Sequence, residues 1–342
     1  MKKQILIIVL LGMASFVGVS KSYGQQAVHV SDPKALPSCA NDALHPMAGK
    51  MYDYIVTSAP ATGAKFHWYA TTNTSFIAGG ILNNASTLTS PAIKPTTPAV
   101  YNSGSNTVGT LNMSWGTDVL AAAIASATTP VPTFVAVYVT GTTCADNLKV
   151  FQVEPVNAFM VDITNVENAT LNSLAYTATE NQCYANVQGA SWASNAMTYN
   201  YGTNVLYYEV VASNFTGTWI PTFTIGGLQG GQTASIQWAY TTAFATPVTV
   251  ATGVASTTAV TTEATDTSNG VSIFVKVTVA NNAWEGLSND VISLGVTGTN
   301  SAAQRDVLAT DCTIADLASN TANQTLNLRS TISETTDNGI FE

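Results

Sequence analysis

Residues 133–139 read Thr-Phe-Val-Ala-Val-Tyr-Val, a run in which β-branched and aromatic residues predominate. Side chains of this kind favour extended backbone, and their alternation is typical of a strand that buries one face. Clusters of Gly, Asn, Pro and Ser, such as residues 102–106 and 226–231, separate this run from others of the same kind. The comparable runs are residues 52–56, 65–69, 206–211, 235–240 and 272–279. Many short strands joined by turns predict an all-β protein built from sandwiches.

One segment departs from this strand pattern. Residues 118–126 begin with Asp and continue through an Ala-rich interior, which suits a short helix capped at its N-terminus. A loop that covers one end of a sheet is the alternative for the same residues.

The first 24 residues have the features of a secretory signal peptide. Residues 1–3 carry two lysines, residues 5–19 are apolar, and residues 22–24 supply the small side chains that a cleavage site needs. The apolar run is about 15 residues long, whereas a membrane-spanning helix needs about 20. No Cys follows it, which argues against a bacterial lipid anchor. We expect export, with the mature protein extracellular, at the cell surface or in the periplasm, and without a membrane span.

The charge of the chain is low and acidic. Only 20 Asp and Glu and 11 Lys and Arg occur among 342 residues, which gives a formal net charge of -9. Removal of residues 1–24 takes away three lysines and leaves -12. Such a chain lacks the basic surface that binds phosphates, so nucleic acid is excluded as a partner. The 46% hydrophobic content excludes an acidic disordered chain and is sufficient for a core.

Similarity within the chain predicts two copies of one strand pattern. The matched pairs are residues 54–56 with 209–211, 66–72 with 236–242, and 134–139 with 274–279. The second pair shares the pattern apolar-x-Trp-x-x-Thr-Thr, and the third shares Phe-Val-x-Val-x-Val. Trp68 and Trp238 are therefore predicted to pack in the cores of two successive sandwiches.

This repeat predicts two tandem immunoglobulin-like (PKD-like) β-sandwich domains after the signal peptide. The predicted organisation is residues 1–24 as signal peptide, 25–38 as an N-terminal lead, 39–157 as the first module, 158–312 as the second module and 313–342 as a polar C-terminal tail. The exact boundary between the two modules lies between residues 157 and 183.

The four cysteines are Cys39, Cys144, Cys183 and Cys312, and export makes each of them a disulfide candidate. Four cysteines allow three connectivities. The spacing favours Cys39 with Cys144 and Cys183 with Cys312, because each pair would enclose one block of domain size. No Cys-x-x-Cys motif occurs and the chain has only three His, so a zinc site has no support.

Several motifs carry a resemblance to a known class of protein. In the first module they are Cys39, Tyr-x-Tyr-x-Val at residues 52–56, apolar-x-Trp at 66–68, Phe-Val-x-Val-x-Val at 134–139, Cys-x-Asp-Asn at 144–147 and Val-Phe-Gln-Val at 150–153. In the second module they are residues 207–219, Trp238, Phe274 and residues 284–287. Together residues 39–312 resemble the PKD-like and immunoglobulin-like repeats of secreted Bacteroidetes surface proteins, including gliding-motility-associated adhesins.

This resemblance implies a non-enzymatic structural or adhesive protein that contacts other envelope or surface proteins or further copies of itself. The C-terminal segment departs from the resemblance. Proteins of this class often end in a sorting domain with a basic tail, whereas residues 313–342 are short and polar and end Asn-Gly-Ile-Phe-Glu. Periplasmic residence and a partner-dependent surface location are both compatible with this tail.

Residues that perform catalysis are scarce. His29, His45 and His67 lie outside any nucleophile–base pattern, and the chain has no Gly-x-Ser-x-Gly, His-Glu-x-x-His or phosphate-loop motif. Glycosidase chemistry needs only two carboxylates, which a pair such as Asp53 with Glu209 would supply, but carboxylates at turns and on edge strands are the commoner explanation. We expect a non-catalytic protein without a cofactor or a metal.

A glycan-binding module is the alternative function. The candidate contacts are Trp115, Trp192, Trp219 and Trp284, which stand beside turn-forming residues where aromatic faces can stack on sugars. Burial at the ends of the sandwich cores is the competing explanation for each of them, because large aromatic side chains dominate core packing.

Overall fold

The computed structural model describes residues 36–57, 63–124, 131–141, 146–167, 176–177, 180–215, 217–261 and 271–332. The predicted signal peptide, most of the N-terminal lead, His29, Cys144 and the last ten residues lie outside the described residues. Twenty-one strands and one short helix make up the regular structure of the described part.

The first eight strands build one sheet pair, which we call the first sandwich. Its elements are β1 (Met51–Ile55), β2 (Lys65–Thr71), β3 (Ile77–Ala78), β4 (Ile81–Leu82), β5 (Ile93–Thr97), β6 (Thr110–Trp115), α1 (Thr117–Ile124), β7 (Thr133–Thr140) and β8 (Asn147–Val153). The two main sheets have the strand orders β1-β6-β5 and β2-β7-β8, while β3 and β4 form a separate small hairpin. Tyr54, Trp68 and Val137 lie in the apolar core between the main sheets.

The single helix of the described residues, α1, is the one predicted at residues 118–126. It begins one residue earlier than expected and buries Leu120 and Ala121. No described helix is long and apolar enough to cross a membrane.

The remaining strands build a larger sheet pair, the second sandwich. Its strands are β9 (Met160–Val166), β10 (Tyr176–Thr177), β11 (Glu180–Cys183), β12 (Gly189–Ala193), β13 (Ala196–Asn200), β14 (Thr203–Ser213), β15 (Thr218–Gly226), β16 (Thr233–Ala239), β17 (Val248–Val250), β18 (Val260–Thr261), β19 (Val271–Ala280), β20 (Asp290–Asn300) and β21 (Thr321–Asn327). The sheets have the orders β10-β9-β14-β19-β16-β17 and β11-β21-β20-β15-β18. Leu206, Trp219 and Leu294 are fully buried between them.

The strand orders define an immunoglobulin-like topology, which confirms the predicted fold class. Constant-type immunoglobulin domains have strands A-B-E-D in one sheet and C-F-G in the other. In the second sandwich β9-β14-β19-β16 and β15-β20-β21 reproduce these two orders. In the first sandwich β1-β6-β5 corresponds to B-E-D and β2-β7-β8 to C-F-G. No described strand of the first sandwich lies at the position of A, beside β1.

Two of the three matched pairs are offset by one strand: residues 66–72 with 236–242 join a C strand to a D strand, and residues 134–139 with 274–279 join an F strand to an E strand. The remaining pair, residues 54–56 with 209–211, is confirmed, because β1 and β14 are both B strands. Trp68 lies on β2, the C strand of the first sandwich, and its topological counterpart is Trp219 on the C strand β15. Trp238 lies on the D strand β16 instead. Both Trp68 and Trp238 are buried, as predicted. The pattern apolar-x-Trp fits any buried strand, because period-two alternation records which face is buried and not which strand carries it.

The segment predicted as a polar tail contributes a core strand. β21 pairs antiparallel with β20 and parallel with β11. Ala322, Gln324 and Leu326 alternate towards the interior, and Leu326 is fully buried. With one large apolar side chain among the three, the alternation is too weak to mark a strand in the sequence.

The disulfide differs from the predicted pairing. Cys39 is bonded to Cys312, with the two Cα atoms 5.7 Å apart, and the thiol of Cys183 is free and exposed. The segment before the first sandwich runs back along the connection between β20 and β21, where the Ser38 N–H donates to the Ala309 carbonyl at 2.7 Å. The bridge therefore closes across both sandwiches and not within either one.

Candidate functional site

Strands β12 and β13 form a hairpin that stands apart from both main sheets of the second sandwich. The two-residue turn consists of Ser194 and Asn195, whose φ values are 51° and 61°. Positive φ at both turn residues defines a type I′ turn, which matches the twist of a two-stranded ribbon and which Asn tolerates well. All ten strand residues are exposed. We call residues 189–200 the aromatic hairpin.

The aromatic hairpin has one apolar face. Trp192 lies opposite Met197, and Ala190 lies opposite Tyr199, so these four side chains share a face. The exposed fractions are 66% for Trp192, 44% for Met197 and 45% for Tyr199. The opposite face carries small and polar side chains, among them Ser191, which is hydrogen-bonded to a neighbouring hydroxyl. The hairpin thus presents an amphipathic ribbon to solvent.

The base of the aromatic hairpin is fixed by stacking. The rings of Tyr199 and Tyr201 are 5.6 Å apart and 20° from parallel. The guanidinium of Arg329 lies 5.2 Å from the Tyr201 ring and 5.4 Å from the Tyr184 ring. Arg329 also donates to the backbone carbonyls of Tyr201, at 2.7 Å, of Glu285, at 2.6 Å, and of Ala185. One cation therefore holds three chain segments together beneath the hairpin.

A buried polar cluster supports this stack from below. The Tyr184 hydroxyl donates to Asp290, and the Trp284 indole N–H lies 2.9 Å from the same carboxylate oxygen. Burial, reinforced by the hydrogen bond to Asp290, raises the pKa of Tyr184 to about 12. Gly286 has a φ of 73°, and a Cβ at this position would lie 2.5 Å from the Tyr184 ring. The neighbouring loop can approach Tyr184 this closely because residue 286 has no side chain.

Three amides complete the support of the hairpin base. Asn281 accepts from Gln232 at 2.9 Å and donates to Asn204 at 3.0 Å. It also donates to the Tyr201 carbonyl at 3.2 Å. Asn281 is fully buried, so these bonds satisfy groups that would otherwise be costly to bury. The hairpin is therefore exposed at its tip and rigidly held at its root.

The structure separates the four tryptophans predicted as glycan contacts. Trp115 and Trp219 are 2% and 0% exposed, so neither can present a ring to a ligand, and burial explains both. Trp284 is half-buried in the polar cluster beneath the hairpin. Trp192 alone of the four has an exposed ring.

Sequence reasoning missed Tyr199, Tyr201 and Arg329. Residues 196–201 read Ala-Met-Thr-Tyr-Asn-Tyr after a Ser-Asn turn, and this alternation was the available signal for a hairpin. Arg329 had no such signal, because its contacts with Tyr184 and Tyr201 join positions more than a hundred residues apart.

The described histidines do not form a catalytic arrangement. His45 is exposed and lies 3.0 Å from Asp42 and 3.9 Å from Glu154. His67 bonds to the amide of Asn102 at 2.7 Å. The residues that the structure describes contain no group of three or more His, Cys, Asp or Glu side chains suited to a metal ion.

No protein-family model matches the chain, and no curated protein matches it. Solved structures similar to parts of the fold include a collagen adhesin from S. aureus, with 11% identity, 83% of each chain covered and a TM-score of 0.21. The C-terminal domain of the Streptococcus agalactiae AgI/II polypeptide BspA has 9% identity, covers 84% of this chain and 95% of its own, and has a TM-score of 0.21. CfaE, the adhesive subunit of the CFA/I fimbria of enterotoxigenic Escherichia coli, has 10% identity, coverage of 85% and 82%, and a TM-score of 0.27. Likenesses at these TM-scores carry no weight for function.

Proposed function

We propose that the protein is a non-catalytic structural or adhesive protein of the cell envelope that acts through protein–protein contacts. The aromatic hairpin is the observation that carries this proposal, because all ten of its strand residues are exposed. A two-stranded hairpin is marginally stable alone in water. A contiguous apolar face in solvent is typical of a binding surface.

The composition and support of the hairpin fit this role. Trp192, Met197 and Tyr199 are of the residue types that protein interfaces concentrate. Stacking on Arg329 orders the root of the hairpin in advance, so less conformational freedom remains to be lost when a partner binds.

The envelope location rests on two further features. Residues 1–24 have the pattern of a signal peptide, and the bridge between Cys39 and Cys312 is of the kind that oxidising compartments maintain.

Trp192 also favours a second candidate function, the binding of a neutral glycan. Its ring is 66% exposed, and residues 181–208 contain no Asp, Glu, Lys, Arg or His. A sugar without charge would stack on such a surface without desolvating an ion.

Binding of the purified mature protein to washed envelope fragments of the cells that make it tests both candidates. The informative variant combines Trp192→Ser with Tyr199→Ser, which removes the aromatic face. Ile81→Ser is the matched control, because Ile81 is 73% exposed on the separate β3–β4 hairpin. We expect the double variant to bind at least about tenfold more weakly and the control to bind like wild type.

Treatment of the envelope fragments distinguishes the two candidates. Loss of binding after protease digestion supports a protein partner, and loss after periodate oxidation alone supports a glycan. Equal binding by wild type, double variant and control would refute a role for the hairpin in either function.

A further inference from the structure

Within the described residues, the first sandwich has an open sheet edge where the second has a strand. In the second sandwich β9 pairs with β14 over seven residues, from Met160 opposite Ser213 to Val166 opposite Tyr207. β1 is the counterpart of β14, and in the described part of the chain its only ladder is with β6. The core is nevertheless covered, since the Tyr54 hydroxyl donates to the Ala43 carbonyl and Tyr54 is 2% exposed. Among the described residues, no strand pairs with the edge of β1 that faces away from β6.

The direction of the free backbone groups follows from the register. The Val56 N–H donates to the Gly109 carbonyl at 2.8 Å, at the position that continues the β1–β6 ladder. Hydrogen-bonded and non-hydrogen-bonded pairs alternate in an antiparallel ladder, so the N–H and C=O groups of Tyr54 and Tyr52 also face β6. Those of the alternate residues, Met51, Asp53 and Ile55, face the open edge. Met51 and Ile55 are 42% and 63% exposed.

The aromatic hairpin has the complementary arrangement. A two-residue turn places its flanking residues in a hydrogen-bonded pair, and the pairs alternate from there. The backbone groups of Ser191 and Thr198 therefore face each other. Those of Trp192, Met197 and Tyr199 face outwards, and these residues also carry the apolar side chains.

We propose that β13 of one copy of the chain adds antiparallel to β1 of a second copy, in the position that β9 fills in the second sandwich. The inference rests on the proposed function and names the partner of the hairpin as another copy. Both strands are five residues long. The free N–H and C=O groups of β13 would bond to the free N–H and C=O groups of β1. This pairing brings Met197 and Tyr199 onto the same face as Met51 and Ile55.

Charge favours this pairing over the pairing of two β1 edges. An antiparallel β1–β1 pair centred on Asp53 places two carboxylates directly opposite each other, which is destabilising. The aromatic hairpin carries no Asp, Glu, Lys, Arg or His, so it meets Asp53 without repulsion. Because the two contact surfaces differ and belong to different sandwiches, the association is head-to-tail and continues from copy to copy unless it closes into a ring.

Two proline variants test the proposal on separate parts of the molecule. In Asp53→Pro and in Met197→Pro the lost N–H is one that faces outwards, so the ladder to the neighbouring strand is kept, and proline is tolerated on edge strands. Asp53→Asn and Met197→Leu are the matched controls, since both retain the N–H. Free thiols are alkylated first, and circular dichroism confirms that each variant is folded.

Sedimentation velocity of the purified protein from about 5 to 500 μM covers the weak association expected of a small interface. Wild type and both controls should grow into dimers and longer species as concentration rises. Each proline variant alone should associate at least about tenfold more weakly. An equal mixture of the two should form dimers and nothing longer, because the intact hairpin of one can add to the intact edge of the other.

Three results would overturn the proposal: wild type that stays monomeric throughout, proline variants that associate like their controls, or a mixture that stays monomeric where wild type associates. Asp53→Pro keeps its hairpin and should still bind envelope fragments. Failed self-association with hairpin-dependent envelope binding would remove this inference alone, whereas loss of the envelope binding itself would remove the proposed function.

Discussion

The bridge between Cys39 and Cys312 makes a prediction that is specific in both connectivity and magnitude. It closes a loop of 273 residues across both sandwiches. The loop-closure relation for unfolded chains gives about 5–6 kcal/mol for a loop of this length, while measured contributions are more often about 2–4 kcal/mol. The Cα separation of 5.7 Å lies in the ordinary range for a disulfide. Cys39→Ser should therefore lower the free energy of unfolding by about 2–5 kcal/mol.

Urea unfolding of four variants measures this contribution. Cys39→Ser and Cys312→Ser should destabilise the protein equally, and the double variant should be no less stable than either one, because all three remove the same bond. Cys183→Ser is the control. Its thiol is free and exposed, so we expect a change within about 0.5 kcal/mol.

Peptide mapping without reductant checks the connectivity directly. Trypsin places the four cysteines on four different peptides, residues 35–50, 66–149, 150–276 and 306–329. The first and last of these should migrate as one species until reductant is added. A link from residues 35–50 to residues 66–149, or a Cys183→Ser variant as unstable as Cys39→Ser, would show that the bridge is not the one described.

Three further predictions concern stability. Trp219→Ala empties a fully buried site and should cost about 3–5 kcal/mol, whereas Trp192→Ala should cost less than about 0.5 kcal/mol, as chemical denaturation will show. Burial raises the pKa of the Asp306 carboxyl from 3.8 to about 6, so the folded state binds the carboxyl proton more tightly than the unfolded state does. The protonated carboxyl therefore contributes up to about 3 kcal/mol to stability below pH 4, and this contribution is lost as the pH rises through 6. Asp306→Asn should abolish this pH-dependent difference between unfolding curves measured at pH 4 and pH 7. Gly286→Ala should lower the melting temperature more than Gly253→Ala, because both glycines have positive φ but only a Cβ at residue 286 would collide with the Tyr184 ring. Equal decreases in melting temperature would contradict the close approach of the residue 286 backbone to Tyr184.

The sequence was sufficient to predict the fold class because its strands carry strong local signals. Residues 133–139 and residues 272–279 alternate β-branched and aromatic side chains, and both lie in central strands with buried faces. The same signal cannot distinguish the aromatic hairpin from a core strand. Trp192, Met197 and Tyr199 alternate as regularly as buried residues do, and alternation states that side chains share a face without stating what that face meets.

The remaining errors concern contacts between positions far apart in the chain. Cys39 meets Cys312 because the segment before the first sandwich runs along the β20–β21 connection of the second sandwich. No local sequence pattern indicates this path. The prediction that Trp115 and Trp219 contact a glycan was wrong for a related reason. Both tryptophans neighbour turn-forming residues, yet each lies on a strand whose inward face places the indole in a core.

The same bridge decides how the protein carries tension. A pull applied before Cys39 and after Leu328 passes from one sulfur to the other and never enters residues 40–311. The first sandwich and every strand of the second except β21 are thus shielded from the load. Strand β21, which β20 and β11 hold along its length, is the strand of the described residues that lies on the loaded path. Reduction of a single bond would put both sandwiches in series with the force.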